Sequence, residues 1–324
     1  MSLSKVVDAM RRHKRFLISA HIDPEADAVG SQLALASMLK RLGKEVTIVD
    51  QDSAPDSCGF LSQLKWIKLF KDLNKSAFKK SDCAIIVDCP TLERIGKVRK
   101  LIADDTVVIN IDHHVSNDMF GDVNWVDLKA AAVGEMVFDI FKKLKMRITK
   151  DEAVIIYSAI LIDTGSFRYS NTTVKTHMIA AELIKNGLDT NAIYEHLFEM
   201  KSYQVTRLLG LALSGIKKNK DGKIVWVWIT DKMLKESGAR VADAENFIGF
   251  PRAVKGCKVA MLFKETGREG IFKVSFRGKK GVDVNKIAAK FGGGGHAGAS
   301  GCTVAAANRK EAERKILSEV VKFV

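Results

Sequence analysis

The side chains able to do chemistry lie in four short stretches. They are His21-Ile22-Asp23-Pro24-Glu25-Ala26-Asp27, then Asp88 alone, then Asp112-His113-His114, then Asp163-Thr164-Gly165-Ser166. An isolated Asp is usually a cap or a turn former, and a lone His usually packs or hydrogen-bonds. Four stretches together carry more weight. Crowded carboxylates repel one another and resist leaving water unless a cation compensates them. Oxygen ligands with a minority of imidazoles suit Mn²⁺ or Mg²⁺, and no thiolate set is available for a structural zinc. Two such ions about 3.5–4 Å apart, joined by a bridging carboxylate, turn water into a nucleophile near neutral pH. Asp88, alone in its stretch, is the candidate bridge.

Residues so far apart in sequence need a scaffold that gathers them. The first half alternates β-branched runs with helical periodicity. The pattern predicts strands at Arg15–His21, Glu45–Asp50, Asp82–Cys89 and Thr106–Asp112, and helices at Ser31–Leu42, Ala131–Leu144 and Asp151–Ile162. This alternation indicates an α/β domain with a doubly wound, mainly parallel sheet. Three of the four strands run into the acidic and imidazole stretches, and ligands of such sheets bind beyond the carboxyl ends of the strands. Asp163 comes in from the end of a helix.

The second part changes style. Strands are expected at Lys223–Ile229, Lys258–Phe263 and Gly270–Phe276, with turns at Asp221-Gly222 and Thr266-Gly267 and a closing helix over Asn308–Lys322. This reads as a smaller α+β domain. The expected division is a metal-binding domain over 1–190, a helical connector over 191–214 and a basic domain over 215–324.

Charge supports that division. The net charge is +14, yet residues 1–200 hold 27 Lys/Arg against 27 Asp/Glu, so the whole excess lies after residue 200. A one-sided excess of this size points to an anionic partner. The five cysteines form no CxxC pair and read as reduced, packed thiols. No apolar run approaches the roughly 20 residues of a membrane helix. The stretch after the basic Arg11–Arg15 is only Phe16–Ala20, short of the ~7–15 residues of a secretory segment. A cytoplasmic protein is expected.

The four stretches, in this order, resemble the four motifs of the DHH phosphoesterases, and Phe291-Gly292-Gly293-Gly294-Gly295-His296 resembles the glycine motif of the DHH-associated domain. The pairing of domains is similar to the NrnA type of oligoribonucleases and pAp phosphatases. The resemblance implies two Mn²⁺ ions, with Mg²⁺ as a substitute. One would be held by His21, Glu25 and Asp88, the other by Asp27, Asp88, His113 and Asp163. The family usually has Asp where this chain has Glu25. His114 would stand beside the phosphate as a donor to the leaving oxygen, and Asp112 would orient its neighbours.

In the basic domain, consecutive glycines are unfavourable in regular elements, and they suit a chain that turns its N–H groups toward an anion. Gly293, Gly294, Gly295 and His296 are therefore expected to bind substrate together with Arg277, which resembles the family's substrate-binding arginine. A clamp on a terminal phosphate at a distance from the metals favours short substrates, namely oligoribonucleotides, dinucleotides such as pApA, or 3′-phosphoadenosine 5′-phosphate. No long duplex and no membrane is expected, and a homodimer is compatible with the sequence. The alternatives are a cyclic-di-AMP phosphodiesterase, a family II pyrophosphatase-like enzyme, whose Ser-Arg-Lys signature is missing here, and a nucleotide-binding module with weakened catalysis.

Overall fold

Strands buried on both faces read as continuous apolar runs, and the first half of the chain carries several. A computed structural model describes residues 3–74 and 78–324. It divides into two compact units, Met1–Met200 and Lys201–Val324, so the division falls at the charge step.

The first unit runs α1 (Leu3–Arg12), β1 (Arg15–Ser19), α2 (Ala26–Arg41), β2 (Glu45–Asp50), β3 (Ile67–Leu69), β4 (Cys83–Val87), β5 (Val107–Asp112) and β6 (Val123–Val126). The helices α3 (Val133–Lys143), α4 (Lys150–Asp163), α5 (Val174–Ile184) and α6 (Thr190–Tyr194) follow. The strands make one parallel sheet in the order β3-β2-β1-β4-β5-β6. The winding reverses between β1 and β4, where a doubly wound sheet opens a crevice at its carboxyl ends. Period-two alternation feeds two cores: Phe16 and Ile18 enter one, Leu17 the other.

Helix positions decide what the crevice holds. The helix expected from Ser31 begins at Ala26, because Glu25 is extended at the N-cap, so Asp27 lies in the first turn. Gly30 lets α2 approach α4: a Cβ there would lie 2.9 Å from the Ile155 carbonyl oxygen. Buried Glu152 ties the two helices together. It closes a capping box with Thr149 at the start of α4 and pairs with Arg41 of α2 at 2.7 Å. Asp163 is the last residue of α4 rather than a residue after it.

The second unit runs α7 (Tyr203–Ser214), β7 (Lys217–Lys218), β8 (Ile224–Ile229), α8 (Asp231–Ser237), α9 (Gly249–Ala253), β9 (Val259–Glu265), β10 (Ile271–Gly278), α10 (Val284–Ala289), β11 (Gly294–His296), β12 (Ala299–Ala305) and α11 (Arg309–Val320). Its sheet has the order β11-β12-β10-β9-β8-β7. The turns at Asp221-Gly222 and Thr266-Gly267 join antiparallel neighbours, whereas β8 and β9 run parallel and need the crossover through α8 and α9. The segment expected as a connector divides between the units. Residues 191–200 belong to the first, and α7 buries Leu208 and Ala212 in the core of the second, with Val225 and Val227. Glu313 anchors α11 by accepting the indole N–H groups of Trp226 and Trp228 at 3.1 and 2.6 Å. All five cysteines are buried and free, and no helix among the described residues is long and apolar enough to cross a membrane.

Candidate metal centre and anion-binding face

Burial and register bring His21, Asp27, Asp88, Asp112, His113, His114 and Asp163 to one place. Asp88 follows β4 with a left-handed backbone (φ 51°), a conformation an Asp tolerates better than a bulky residue. Its Oδ1 lies 3.5 Å from His113 Nε2 and 3.6 Å from His114 Nδ1, while its Oδ2 lies 3.6 Å from His21 Nε2. His113 Nε2 also faces Asp163 Oδ2 at 3.4 Å. Two groups gather within reach of a single ion: Asp88 with His113 and His114, and Asp27 with His113 and Asp163. His21 joins through Asp88. Glu25 stands outside both groups, exposed at the N-cap of α2.

Asp27 has a second task. Its Oδ2 accepts the Val133 N–H at 2.7 Å and its Oδ1 the Gly134 N–H at 2.9 Å, with the Ser31 hydroxyl donating at 3.2 Å. The residue at the N-cap of α3, Ala132, has no side-chain acceptor, so a carboxylate from α2 caps α3 instead. The imidazoles are oriented from behind. His113 Nδ1 lies 3.1 Å from the Ala130 carbonyl, and His114 Nδ1 lies 2.7 Å from Asp112 Oδ1. Asp112 is fully buried and also accepts the Asn117 amide at 2.6 Å.

The electrostatics are those of a site built for cations. Burial, reinforced by the charge of Asp88, pushes Asp27 up to about 7, and burial with Asp27 and Asp88 raises Asp163 well above the carboxylate range. Burial also opposes ionisation of Asp88, but the imidazoles, His113 foremost, hold its carboxyl well below the usual range. Burial disfavours charge on His113 too, yet Asp88 and Asp27 lift it to about 10. A divalent ion fits here on a separate observation. Asp88 Oδ1 is buried without a hydrogen-bond donor, and the facing nitrogens are too far for a hydrogen bond. The 3.4 and 3.5 Å separations of His113 Nε2 from Asp163 and Asp88 are those of atoms that share one ion at about 2.1 Å each.

In the second unit, β10 and β12 bury alternate residues and leave Lys273, Ser275, Arg277, Ala299, Gly301 and Thr303 on a more open face. Arg277 and His296 both pair with Ala299, from β10 and β11, so they share that face about 10 Å apart. The glycine motif departs from expectation. Gly294–His296 form an edge strand on β12, so the run is in part a regular element. The glycines answer close packing: a Cβ on Gly293 would strike the Gly301 carbonyl oxygen, and one on Gly295 would lie 2.6 Å from the Ala299 carbonyl oxygen.

Comparison with known proteins matches both parts of the chain. Residues 15–160 match the DHH family, N-terminal domain, and residues 221–323 match the DHHA1 domain. The bifunctional oligoribonuclease and PAP phosphatase NrnA of Thermus thermophilus is 34% identical over 94% of this chain and 88% of its own length. The chain belongs to the DHH family. The NrnA of Bacillus subtilis is 28% identical over 93% of both chains. The crystal structure of an exopolyphosphatase-related protein from Bacteroides fragilis superposes with a TM-score of 0.91 at 25% identity, covering 99% of this chain and 95% of that one.

This DHH chain is a hydrolase of the phosphoesterase class, and its acidic and imidazole groups include two sets that could hold a metal ion. Sequence reasoning missed three residues of its site. Asn117 steadies Asp112, and Asn171 donates to the carbonyls of Ala131 and Asp163. Asp50, at the carboxyl end of β2, accepts from Gln32 at 2.6 Å and from the Ala20 N–H at 3.3 Å, beside His21. Burial raises Asp50 to about 7. The rule that singled out His21, Asp88 and Asp112 applies to Asp50 as well, since it too ends a strand. For the two asparagines no spacing rule was available.

Proposed function

We propose that this chain hydrolyses short oligoribonucleotides and 3′-phosphoadenosine 5′-phosphate, as the names of its NrnA relatives describe for them, with two Mn²⁺ ions and in the cytoplasm. The observation that carries this reading is the buried, donorless Oδ1 of Asp88 among imidazoles at 3.5–3.6 Å. His21 and Asp88 would hold one ion, with Glu25 the weakest candidate beside them; Asp27, Asp88, His113 and Asp163 would hold the other. Bound ions of this kind supply the positive charge that activates water and offsets charge on a phosphate.

The chain's own groups do the rest. Ala130 fixes the His113 ring so that Nε2 faces the carboxylates, and α3 fixes Asp27 through two backbone N–H groups. Asp112 accepts the Nδ1–H of His114, which leaves Nε2 free to serve the phosphate or the departing oxygen. Arg277, Gly293, Gly294, Gly295 and His296 would hold a phosphate of the substrate, the arginine as a two-pronged donor. The buried, free cysteines suit a reducing compartment.

The test is turnover of pAp, pApA and longer 5′-phosphorylated oligoribonucleotides with Mn²⁺, products being separated by length. The expected result is mononucleotide release from the short chains and phosphate release from pAp, both abolished in Asp88→Ala. Full activity of that variant contradicts the reading.

A further inference from the structure

The imidazoles of the metal centre are each held at Nδ1 by an oxygen, but the oxygens differ in kind. His114 meets the carboxylate of Asp112 directly, at 2.7 Å. His21 and His113 meet backbone carbonyls instead, that of Ile22 at 2.6 Å and that of Ala130 at 3.1 Å. A carbonyl oxygen only accepts, so Nδ1 of both rings carries the proton and Nε2 keeps its lone pair. Those Nε2 atoms face Asp88, at 3.6 and 3.5 Å.

Each of these carbonyls shares a rigid peptide plane with the N–H of the following residue. In both cases a carboxylate holds that N–H. Asp23 donates its N–H to Asp52 Oδ2 at 3.1 Å, and Ala131 donates its N–H to Glu135 Oε2 at 3.3 Å. Asp52 lies just beyond the carboxyl end of β2, and Glu135 is fully buried in the first turn of α3. Turn formation and helix capping do not account for the pair. Asp52 reaches across 29 residues to a backbone with φ 52°, a conformation few residues other than glycine take without support. Glu135 reaches back past the N-cap Ala132 to Ala131, while the N–H groups of Val133 and Gly134 are already held by Asp27.

We infer that Asp52 and Glu135 are positioning residues, each setting the orientation and donor strength of one metal-binding imidazole through a single peptide unit. Asp52 acts on His21 through the Ile22–Asp23 peptide, and Glu135 acts on His113 through the Ala130–Ala131 peptide. A charged acceptor on the N–H polarises the amide and strengthens its carbonyl as an acceptor, which makes the imidazole a better ligand. The inference rests on the two-ion reading above and adds which carboxylate serves which ion.

The test is calorimetric titration of the full, metal-free chain with Mn²⁺, with thermal unfolding of each variant recorded alongside. His21→Ala identifies the binding step that depends on His21. Asp52→Ala is expected to weaken that step roughly 10–100-fold and the other by less than about threefold, and Glu135→Ala to do the reverse. Asp52→Ala added to His21→Ala should weaken the first step no further. Asp52→Asn and Glu135→Gln keep an uncharged acceptor in place and should recover most of the loss. Should an alanine variant lose its cooperative transition, the Asn or Gln variant decides, with an expected weakening of about two- to fivefold confined to the same step. Equal weakening of both steps by one variant, or of neither, overturns the relay. A wild-type chain without two binding steps contradicts the two-ion reading and the relay with it, whereas two wild-type steps unmoved by Asp52→Ala and Glu135→Ala contradict the relay alone.

Discussion

In the first unit Asp27 and Asp88 lie at or near full burial and Asp163 is partly buried, and no lysine or arginine pairs with any of them among the described residues. In the second, Arg277, Lys273 and His296 stand on the less covered face of a sheet. Both regions handle charge, under different physics. Burial makes the acidic site stiff and costly, so its pKa values are spread widely and an ion is needed to offset the repulsion. The basic face is solvated, its charges are screened by salt, and each contact contributes little alone. Disturbing the first should therefore act on chemistry, and disturbing the second on binding.

The largest effect is expected where the buried site loses its centre. Asp88→Ala, or metal removal by a chelator, should lower turnover by at least about 10³-fold with Mn²⁺-dependent activity as the readout. Arg277→Ala comes next: a rise in KM of roughly 10–100-fold with kcat nearly unchanged, shrinking as ionic strength rises. A fall in kcat at constant KM would erase the contrast between the two regions.

Protonation sharpens the comparison. His113 is raised to about 10 by its carboxylate neighbours against the effect of burial. In metal-free protein its contribution to stability is complete below its ordinary value of 6.5 and is lost as pH rises through about 10. An ion must displace that proton, so metal affinity should climb between pH 6 and pH 9, with proton release visible by calorimetry in buffers of different ionisation enthalpy. Asp50 gives a smaller case of the same sign, with burial rather than neighbouring carboxylates as its cause. Its pKa is raised from 3.8 to about 7 by burial, so its protonated form stabilises the fold at low pH and that contribution is lost as pH rises through about 7. Asp50→Asn cannot ionise, and its advantage over wild type should grow between pH 5 and pH 8, on the order of 1–3 kcal/mol in urea unfolding. A pH-independent difference would contradict this. Smallest of all, Glu25→Asp should change turnover less than about threefold, because Glu25 is exposed and outside both ligand groups. A collapse of activity would make it indispensable.

The sequence displayed the metal centre more completely than the clamp. Apolar strands that end in Asp or His state their own geometry, since a parallel sheet aligns its carboxyl ends. The short strands Ile67–Leu69 and Val123–Val126 escaped notice because neither is long enough to show a period. The capping of α3 by Asp27 depends on a contact 106 residues away, which no local pattern encodes. The edge strand in the glycine run was hidden for a related reason: consecutive glycines are unfavourable in regular elements, yet here they let Gly294–His296 lie close against β12. Rows such as Arg277–Ala299–His296 follow from pairing register, and register became legible only once the strands were aligned.

Equilibrium dialysis against Mn²⁺ addresses the centre of the account. The expected result is two ions per wild-type chain and the loss of both in Asp88→Ala, with the thermal transition of the variant kept cooperative. Wild-type protein that takes up no manganese, or a variant that still holds two ions, would show that Asp88 is not where the ions meet.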